Sequence, residues 1–430
     1  AQAMLRARLH MAARCALSSR GAGLLTLPKP EFTTLYYASL NNLYDPATNA
    51  NGLVNFAVAE NQLAQPMLEE RLRAVGSGAA PTSLAYNPYS GNDRFRKAIA
   101  RVISKHIAGR IVNHNHLLLS SGAGSSLWLL AAALADNADG IVVPAPYYYA
   151  YDRDFVALTG CRLIVSHGGE RGDPLEPSAL TAVVDKAAKE GTRCRVLVVT
   201  TPNNPTGEVV KADRMRKIID WAGKHDMHVI VNELYACSVH AGRFPSVLNM
   251  YHNDSGDCRL PQHVHFVWGL SKDFAANGLR CGCIYTDSEE VIHAASKFLY
   301  FFQVGGTIQE QMATCLEDDT WVDTFLSQSR KQIWNALGIT QDRLHQAGVP
   351  FHRPEGGLFV WADLGKWAHA AGGELELFRH LTTLPQGGVL LCPGASFRAH
   401  EGWFRICVSS AQASHLEVGL QRLTTGLSLV

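Results

Sequence analysis

Excess charge of either sign is missing from this chain of 430 residues: 39 lysines and arginines face 38 aspartates and glutamates, and together they make up only 18% of it. Binding nucleic acid through its phosphates needs a concentrated basic surface, so no nucleic-acid partner is expected. With 47% hydrophobic residues and so few charges, the chain is not a disordered polypeptide either. Long apolar runs are lacking too; nothing reaches the roughly 18 consecutive apolar residues of a membrane-spanning helix, so no membrane partner is expected. Cysteine pairs of the metal-binding kind are absent. The ten cysteines (15, 161, 194, 237, 258, 281, 283, 315, 392 and 407) are scattered, and the one close pair, Cys281 and Cys283, has neither a zinc spacing nor the makings of a disulfide framework. They read as reduced, mostly buried thiols in a reducing compartment. Internal repeats and low-complexity linkers are missing as well. What remains is a chain long enough for one to three compact domains with a sizeable core.

Acids are absent from the first thirty residues, which hold Arg6, Arg8, Arg14 and Arg20 before the first carboxylate at Glu31. That composition is similar to a mitochondrial transit peptide. Leu5, Leu9, Ala12, Ala13 and Ala16 also fit a helical stripe. The expectation adopted is an amphipathic arm packed on the body or on a partner subunit, in a cytoplasmic protein.

From about residue 90, helical patterns alternate with short β-rich runs. FRKAIARVISKHI sets Phe95, Ile99, Val102, Ile103 and Ile107 on one helical face. LLLSSGAGSS, WLLAAALAD, GIVVPAPYY, CRLIVS, a helix near 178–189, RVLVVT, a helix near 211–224, HVIVNELY, HFVWGLS and RCGCIYT follow in turn. Continuous apolar strands such as Val196–Val199 and Val229–Val231 suit a sheet covered by helices on both faces. The alternation therefore predicts an α/β fold whose large, mostly parallel-sheet domain spans residues 71–310. A long helical stretch, Thr307–Gly348, then leads into GGLFVWADL, GGVLLCPG, WFRICVSS and a last helix, which predicts a smaller α+β domain over 311–430. Residues 1–70 lack strong periodicity and are expected to form an N-terminal arm and part of the small domain.

In a sheet of this kind ligands sit at the carboxyl ends of the strands, so motifs there carry the most functional weight. Four such segments occur. Thr200-Thr201-Pro202-Asn203-Asn204-Pro205-Thr206-Gly207 makes a tight turn after RVLVVT; alone it reads equally well as a plain turn. Val229 to Tyr235 ends a strand in polar residues, Asn232 and Glu233 among them. Gly269-Leu270-Ser271-Lys272 follows the apolar HFVWGL, and Gly278-Leu279-Arg280 comes a few residues later. A lone lysine is usually a solvated surface residue. Lys272 differs because it stands at the ligand edge, where burial would make its amine give up a proton easily and serve as an imine-forming nucleophile or base. Arg280 beside it would offer a forked donor to a phosphate. These residues together imply a carbonyl cofactor that bears a phosphate, without naming it.

TPNNPTG, NELY, SKDFAANGLR and WFRIC, in this order and spacing, resemble the class I/II aminotransferases, a family of fold-type I pyridoxal-phosphate enzymes. AVAENQ at 57–62, FRKAIA at 95–100, VPAPYYYAYDRDF at 143–155 and GLSKD at 269–273 are closer to aminocyclopropane-carboxylate synthase-like proteins. The resemblance covers nearly the whole chain from about residue 50. It implies the fold-type I transferase fold, pyridoxal 5′-phosphate as cofactor and an amino-acid substrate. It implies that Lys272 carries the cofactor as a Schiff base and shuttles the substrate's α-proton. Asn204 and Tyr235 would bond the cofactor's phenolic oxygen, and Tyr148 would stack on its ring. The turn Gly122-Ala123-Gly124-Ser125 would hold the phosphate on backbone N–H groups, with Arg280 and Ser271 beside it. Tyr89 matches a residue that reaches the phosphate from a second subunit, so a homodimer with a shared active site is implied. Arg405 would grip the substrate carboxylate, and Glu60 falls in the substrate region, although it reads equally well as a helix cap or a surface acid.

Two departures stand out. Gly269 replaces a serine usual in the family. Asn232 replaces the aspartate that keeps the pyridine nitrogen protonated and makes the cofactor a strong electron sink. A neutral amide would more naturally donate a hydrogen bond to an unprotonated nitrogen, which suits β-elimination better than transamination. Asn232 thus shifts the expected activity to a carbon–sulfur lyase acting on cysteine-derived thioethers, similar to the fungal lyases of gliotoxin-type (epidithiodiketopiperazine) pathways. An aminotransferase or aminocyclopropane-carboxylate synthase is the alternative, and a cofactor-holding protein with little catalysis is the third. Tyr147, Tyr149, Tyr151 and Phe301–Phe302 are candidate walls of an aromatic substrate pocket, or equally ordinary core aromatics.

Overall fold

The computed structural model describes residues 17–25, 31–77, 81–157, 159–168 and 172–430. The helical stripe expected from Leu5 to Ala16 lies outside the described residues. After a short strand β1 (Val54–Asn55), seven strands build one sheet: β2 (Leu117–Ser120), β3 (Gly140–Pro144), β4 (Arg162–Ser166), β5 (Cys194–Thr200), β6 (His228–Asn232), β7 (Val264–Gly269) and β8 (Gly282–Tyr285). Their spatial order is β2-β8-β7-β6-β5-β3-β4; β8 runs antiparallel to both neighbours and the other pairings are parallel.

The apolar runs have no polar alternation because both faces of the sheet are covered. Successive residues of one strand enter opposite cores. Val196, Val198 and Ile230 pack with Leu127, Leu130 and Leu299 of the helices Ala123–Leu134 and Glu289–Leu299. Leu197, Val199, Val229 and Val231 pack on the other side with Phe95, Ile99, Met215 and Ile218 of the helices Asp93–Ile103 and Ala212–Lys224. This places the carboxyl ends of β5, β6 and β7 along one edge, where the sequence motifs stand.

A second, four-stranded antiparallel sheet follows, ordered β12-β13-β10-β9 from β9 (Phe351–His352), β10 (Phe359–Asp363), β12 (Cys392–Pro393) and β13 (Trp403–Cys407). Between them β11 (Val389–Leu390) pairs in parallel with β1, which ties the early chain to this unit. Phe32, Val54 and Phe56 share its core with Leu337, Phe359, Phe404 and Leu420.

The single helical stretch expected over Thr307–Gly348 is two helices, Gly306–Leu316 and Asp319–Gln346. Asp318 divides them: its side chain accepts a hydrogen bond from the Trp321 N–H at 3.0 Å and caps the second helix. That helix joins the two units, with Phe325 in the core of the large sheet and Ile333 and Leu337 in that of the small one. The nine cysteines among the described residues are buried and free of disulfides, and among the described residues no helix is long and apolar enough to cross a membrane.

Candidate active site

The turn after β5 shows how neighbouring identical residues take different tasks. Asn203 spends its side chain on the turn, its Oδ1 accepting from the Thr206 N–H at 3.2 Å and from the Thr206 hydroxyl at 3.1 Å. Asn204 is left to point away from the turn, buried, with its Oδ1 accepting from Arg405 Nη1 at 2.7 Å. The two residues are 201 positions apart, and this bond links the large sheet's edge to the centre of β13.

Lys272 stands in the single helical turn Leu270–Asp273 that follows β7. Gly269 makes that junction possible. A Cβ there would lie 2.6 Å from the carbonyl oxygen of Cys281 on the adjoining chain, so the side chain usual at this position would not fit without backbone movement. The Lys272 amine donates to the Ala59 carbonyl. Burial pulls its pKa down to about 8, partly countered by the nearby Cys407 and Glu60.

Arg405 is treated differently. It is 1% exposed, and its guanidinium carbon lies 4.7 Å from the Phe359 ring centre and 5.0 Å from that of Phe397. Nη1 binds Asn204, Nη2 donates to the Ala57 carbonyl, and Nε is buried with no hydrogen-bond partner. Among the described residues no carboxylate forms an ion pair with it. A buried cation that lacks an anion is costly, and Arg405 keeps an unused donor at Nε.

At the other end, the helix Ala123–Leu134 begins after Gly122, whose φ is 93°. A Cβ on Gly122 would collide with the Arg280 guanidinium, so glycine is what lets Arg280 lie against the start of the helix. Arg280 Nη1 donates to the Asn277 carbonyl at 2.9 Å and Nη2 to that of Ser121 at 3.5 Å. Asp154 also stands here, its carboxyl pushed up by burial and held in an ion pair with Arg153 at 3.1 Å.

These groups line one cavity of about 200 Å³. Of the residues singled out in the sequence, it brings together Ala123, Gly124, Tyr148, Asn204, Asn232, Tyr235, Ser271, Lys272, Arg280 and Arg405. Gly122 and Ser125 lie just behind the wall, Ser125 bonded to Ser121 through their hydroxyls at 3.1 Å. Glu60 is not in the wall either; its carboxylate accepts from Gln62 at 3.4 Å. Tyr89 is far more exposed, at 47%, and meets Tyr300 edge-on with ring centres 5.5 Å apart. The candidate aromatic walls separate: Tyr149 lines the cavity, Tyr151 lies behind Asn232, Phe302 packs on Trp128, and Phe301 is 74% exposed. Val58, Ala59, Leu127, Arg153, Asp154, Thr200, Leu234 and Asn277 also line it, although no motif assigned any of them a role of its own. Thr200 was within reach of strand logic, because it is the last residue of β5 and the register partner of Asn232.

Residues 51–423 match the family model for aminotransferase class I and II. The chain belongs to this family. It is 31% identical over 417 residues to 1-aminocyclopropane-1-carboxylate synthase 4 of Oryza sativa subsp. japonica, a match covering 89% of this chain and 83% of that protein. It is 32% identical over 404 residues to synthase 3 of the same plant, covering 88% of each. Among solved structures, a single mutant of the Thermus thermophilus aspartate aminotransferase superposes with a TM-score of 0.78 at 22% identity, over 96% of this chain and 100% of that one. The Thermotoga maritima aspartate aminotransferase gives 0.76 at 20%, over 96% and 100%. The fold is therefore that of the fold-type I aminotransferases, and the cofactor is pyridoxal 5′-phosphate. The residues present fit that group: an amine with a depressed pKa and an arginine seated in a glycine-bounded helix start.

Proposed function

We propose that this family member is a lyase that removes the Cα proton of an amino acid and expels a leaving group from Cβ, a thiolate of a cysteine-derived thioether above all. The observation that carries the reading is Asn232, a neutral amide at the end of β6 on the wall of the cavity. When bound, the cofactor supplies a carbonyl that takes up the substrate amine and a ring that withdraws electrons from Cα. As a neutral amide, Asn232 would supply no negative charge to that ring and so would weaken its pull on electrons, which would hinder loss of a group from Cβ less than it would hinder transamination.

Lys272 would hold the cofactor, and its amine, lowered to about 8 by burial, would take the Cα proton of the substrate. Arg405 takes the substrate carboxylate, with Nε free to complete a forked contact. Asn204 and Tyr235 would bond the cofactor's phenolic oxygen, and Tyr148 would cover its ring. Gly122, Ala123, Gly124, Ser125, Ser271 and Arg280 would hold its phosphate. Glu60, whose charge reaches Lys272, borders the substrate region. Two copies of the chain share the site, Tyr89 reaching the partner's phosphate; the exposure of Leu84, Tyr86, Tyr89, Tyr300 and Phe301 supports this reading. In its narrowest form the proposal places the chain with the gliotoxin-type lyases, supported by synthase-like motifs combined with Asn232.

The second reading, an aminocyclopropane-carboxylate synthase or aminotransferase, is favoured by the identity to the rice synthases. One assay separates them. Holoenzyme given a cysteine S-conjugate should release thiol, 2-keto acid and ammonia in equal amounts. Accumulation of the aminated cofactor without thiol would establish transamination. Conversion of S-adenosylmethionine to the cyclopropane amino acid would establish the synthase, and bound cofactor with no turnover a holding protein.

A further inference from the structure

The geometry points to Tyr151, with Thr200, as a positioning residue that fixes which atom of the Asn232 amide faces the cofactor, and so keeps the cofactor's ring nitrogen unprotonated. The inference rests on the reading of Asn232 given above.

An asparagine amide has two ends of nearly equal shape and opposite chemistry. Its oxygen would call for a protonated ring nitrogen; its N–H₂ calls for a bare lone pair. The surroundings of Asn232 decide between them. The Leu234 backbone N–H, which can only donate, lies 3.3 Å from Asn232 Oδ1 and demands the oxygen there. On the other side Asn232 Nδ2 donates to the Tyr151 hydroxyl at 2.8 Å. A tyrosine hydroxyl can donate or accept, so its own proton needs a destination, and Thr200 Oγ1 at 2.7 Å provides it. The relay then runs Asn232 to Tyr151 to Thr200, each member donating to the next. Thr200 pairs with Asn232 across the parallel strands β5 and β6, so strand register sets the spacing.

Tyr151 has little freedom to turn. It is 1% exposed, its ring stacked at 6.1 Å on that of Tyr147 and packed 5.1 Å from that of Phe155. With one hydrogen of Nδ2 committed to Tyr151, the second is left for an acceptor in the cavity that Asn232 lines. The aromatic residue singled out as a candidate substrate wall is thus a support for the ring-nitrogen end of the site.

The test is ¹⁵N NMR of holoenzyme loaded with ring-¹⁵N pyridoxal phosphate, run on the wild type, Tyr151→Phe, Thr200→Val and Asn232→Asp. The wild-type signal should be that of an unprotonated pyridine, and Asn232→Asp should move it to the protonated position. Tyr151→Phe should shift it part-way and weaken cofactor binding about threefold to tenfold, the worth of one neutral hydrogen bond. Thr200→Val, which keeps the shape but frees the Tyr151 proton, should shift it in the same direction and gives the answer if Tyr151→Phe does not fold. A wild-type signal retained in Tyr151→Phe or Thr200→Val overturns the positioning role and leaves the lyase reading standing. A protonated wild-type nitrogen, or no response to Asn232→Asp, overturns the amide orientation itself. Thiol release, measured separately, decides the lyase reading in every case.

Discussion

The two sheets contribute to the cavity in different ways. The seven-stranded sheet presents its groups from strand ends: Thr200, Asn232 and Lys272 each stand at or just past the last residue of a strand. The four-stranded sheet presents Arg405 from the middle of β13, between Phe359 and Phe397. Both regions bury a cation against the same stretch of chain, since the Ala59 and Ala57 carbonyls accept from Lys272 and Arg405 respectively. Burial acts on both, yet a lysine can shed its proton and an arginine cannot. The strand-end cation is thereby suited to chemistry and the mid-strand cation to recognition of an anion.

The largest effect that would test this division is loss of the strand-end amine. Lys272→Ala should remove turnover and the visible absorbance of covalently held cofactor together, and borohydride treatment should leave no cofactor attached to the chain. Persistence of either would move the chemistry elsewhere in the cavity. Arg405→Ala should leave the cofactor absorbance in place and strike substrate binding. Loss of a buried, charge-assisted contact costs about 2–5 kcal/mol, or roughly thirtyfold to a few thousandfold in kcat/KM. Steady-state kinetics should put most of that in KM. If Arg405→Ala lost its cofactor as readily as Lys272→Ala, the two regions would not be separate in function.

Between these lies the end proposed for the phosphate, where backbone shape is the determinant. Gly122→Ala places a Cβ against the Arg280 guanidinium at a φ of 93°. With Arg280 displaced, one charged hydrogen bond to the phosphate is lost, about 1.5–3 kcal/mol, so cofactor Kd should rise roughly tenfold to a hundredfold. Equilibrium dialysis of the apoprotein with pyridoxal phosphate measures it. An unchanged Kd would show that Arg280 is not a phosphate ligand.

Much of this was legible in the sequence, for a physical reason. Buried parallel strands are apolar throughout, so the first polar residues after each run mark the ligand edge; Asn232, Lys272 and Arg280 stand out that way, whereas Asn204 sits in a turn that reads equally well as plain and had its role only from resemblance. Arg405 was implied only by resemblance, because nothing in WFRIC says that a mid-strand arginine faces a cavity. Three further features were hidden. The Ala57 and Ala59 carbonyls act through the backbone, which leaves no trace in residue type. Tyr151 looks like one more aromatic in PYYYAY until strand pairing brings Thr200 and Asn232 beside it. The break at Asp318 lay inside a helical pattern, where a capping aspartate and an ordinary exposed one look alike. Gly269, a departure when read as sequence, is explained by the Cys281 carbonyl 2.6 Å from its absent Cβ.

The smallest effect bears most directly on the contrast between the two cations. An imine forms only from the neutral amine, so the rate at which apoprotein captures pyridoxal phosphate should follow the unprotonated fraction of Lys272. Desolvation lowers this amine from the ordinary lysine range to about 8, which means that burial favours the uncharged form. Acid reverses that: as pH falls below 8 the amine gains a proton and stops reacting. Capture at pH 7 should therefore run at about a tenth of its high-pH plateau, against a far smaller fraction for a solvated lysine of pKa about 10.4. Stopped-flow absorbance between pH 6.5 and 10 resolves the midpoint. Arg405→Ala should shift it upward slightly, since the guanidinium is one of the charges that help to depress the amine. A midpoint above pH 10 would mean that Lys272 is as wet as a surface lysine, and the division between a reactive and a recognising cation would then rest on Arg405 alone.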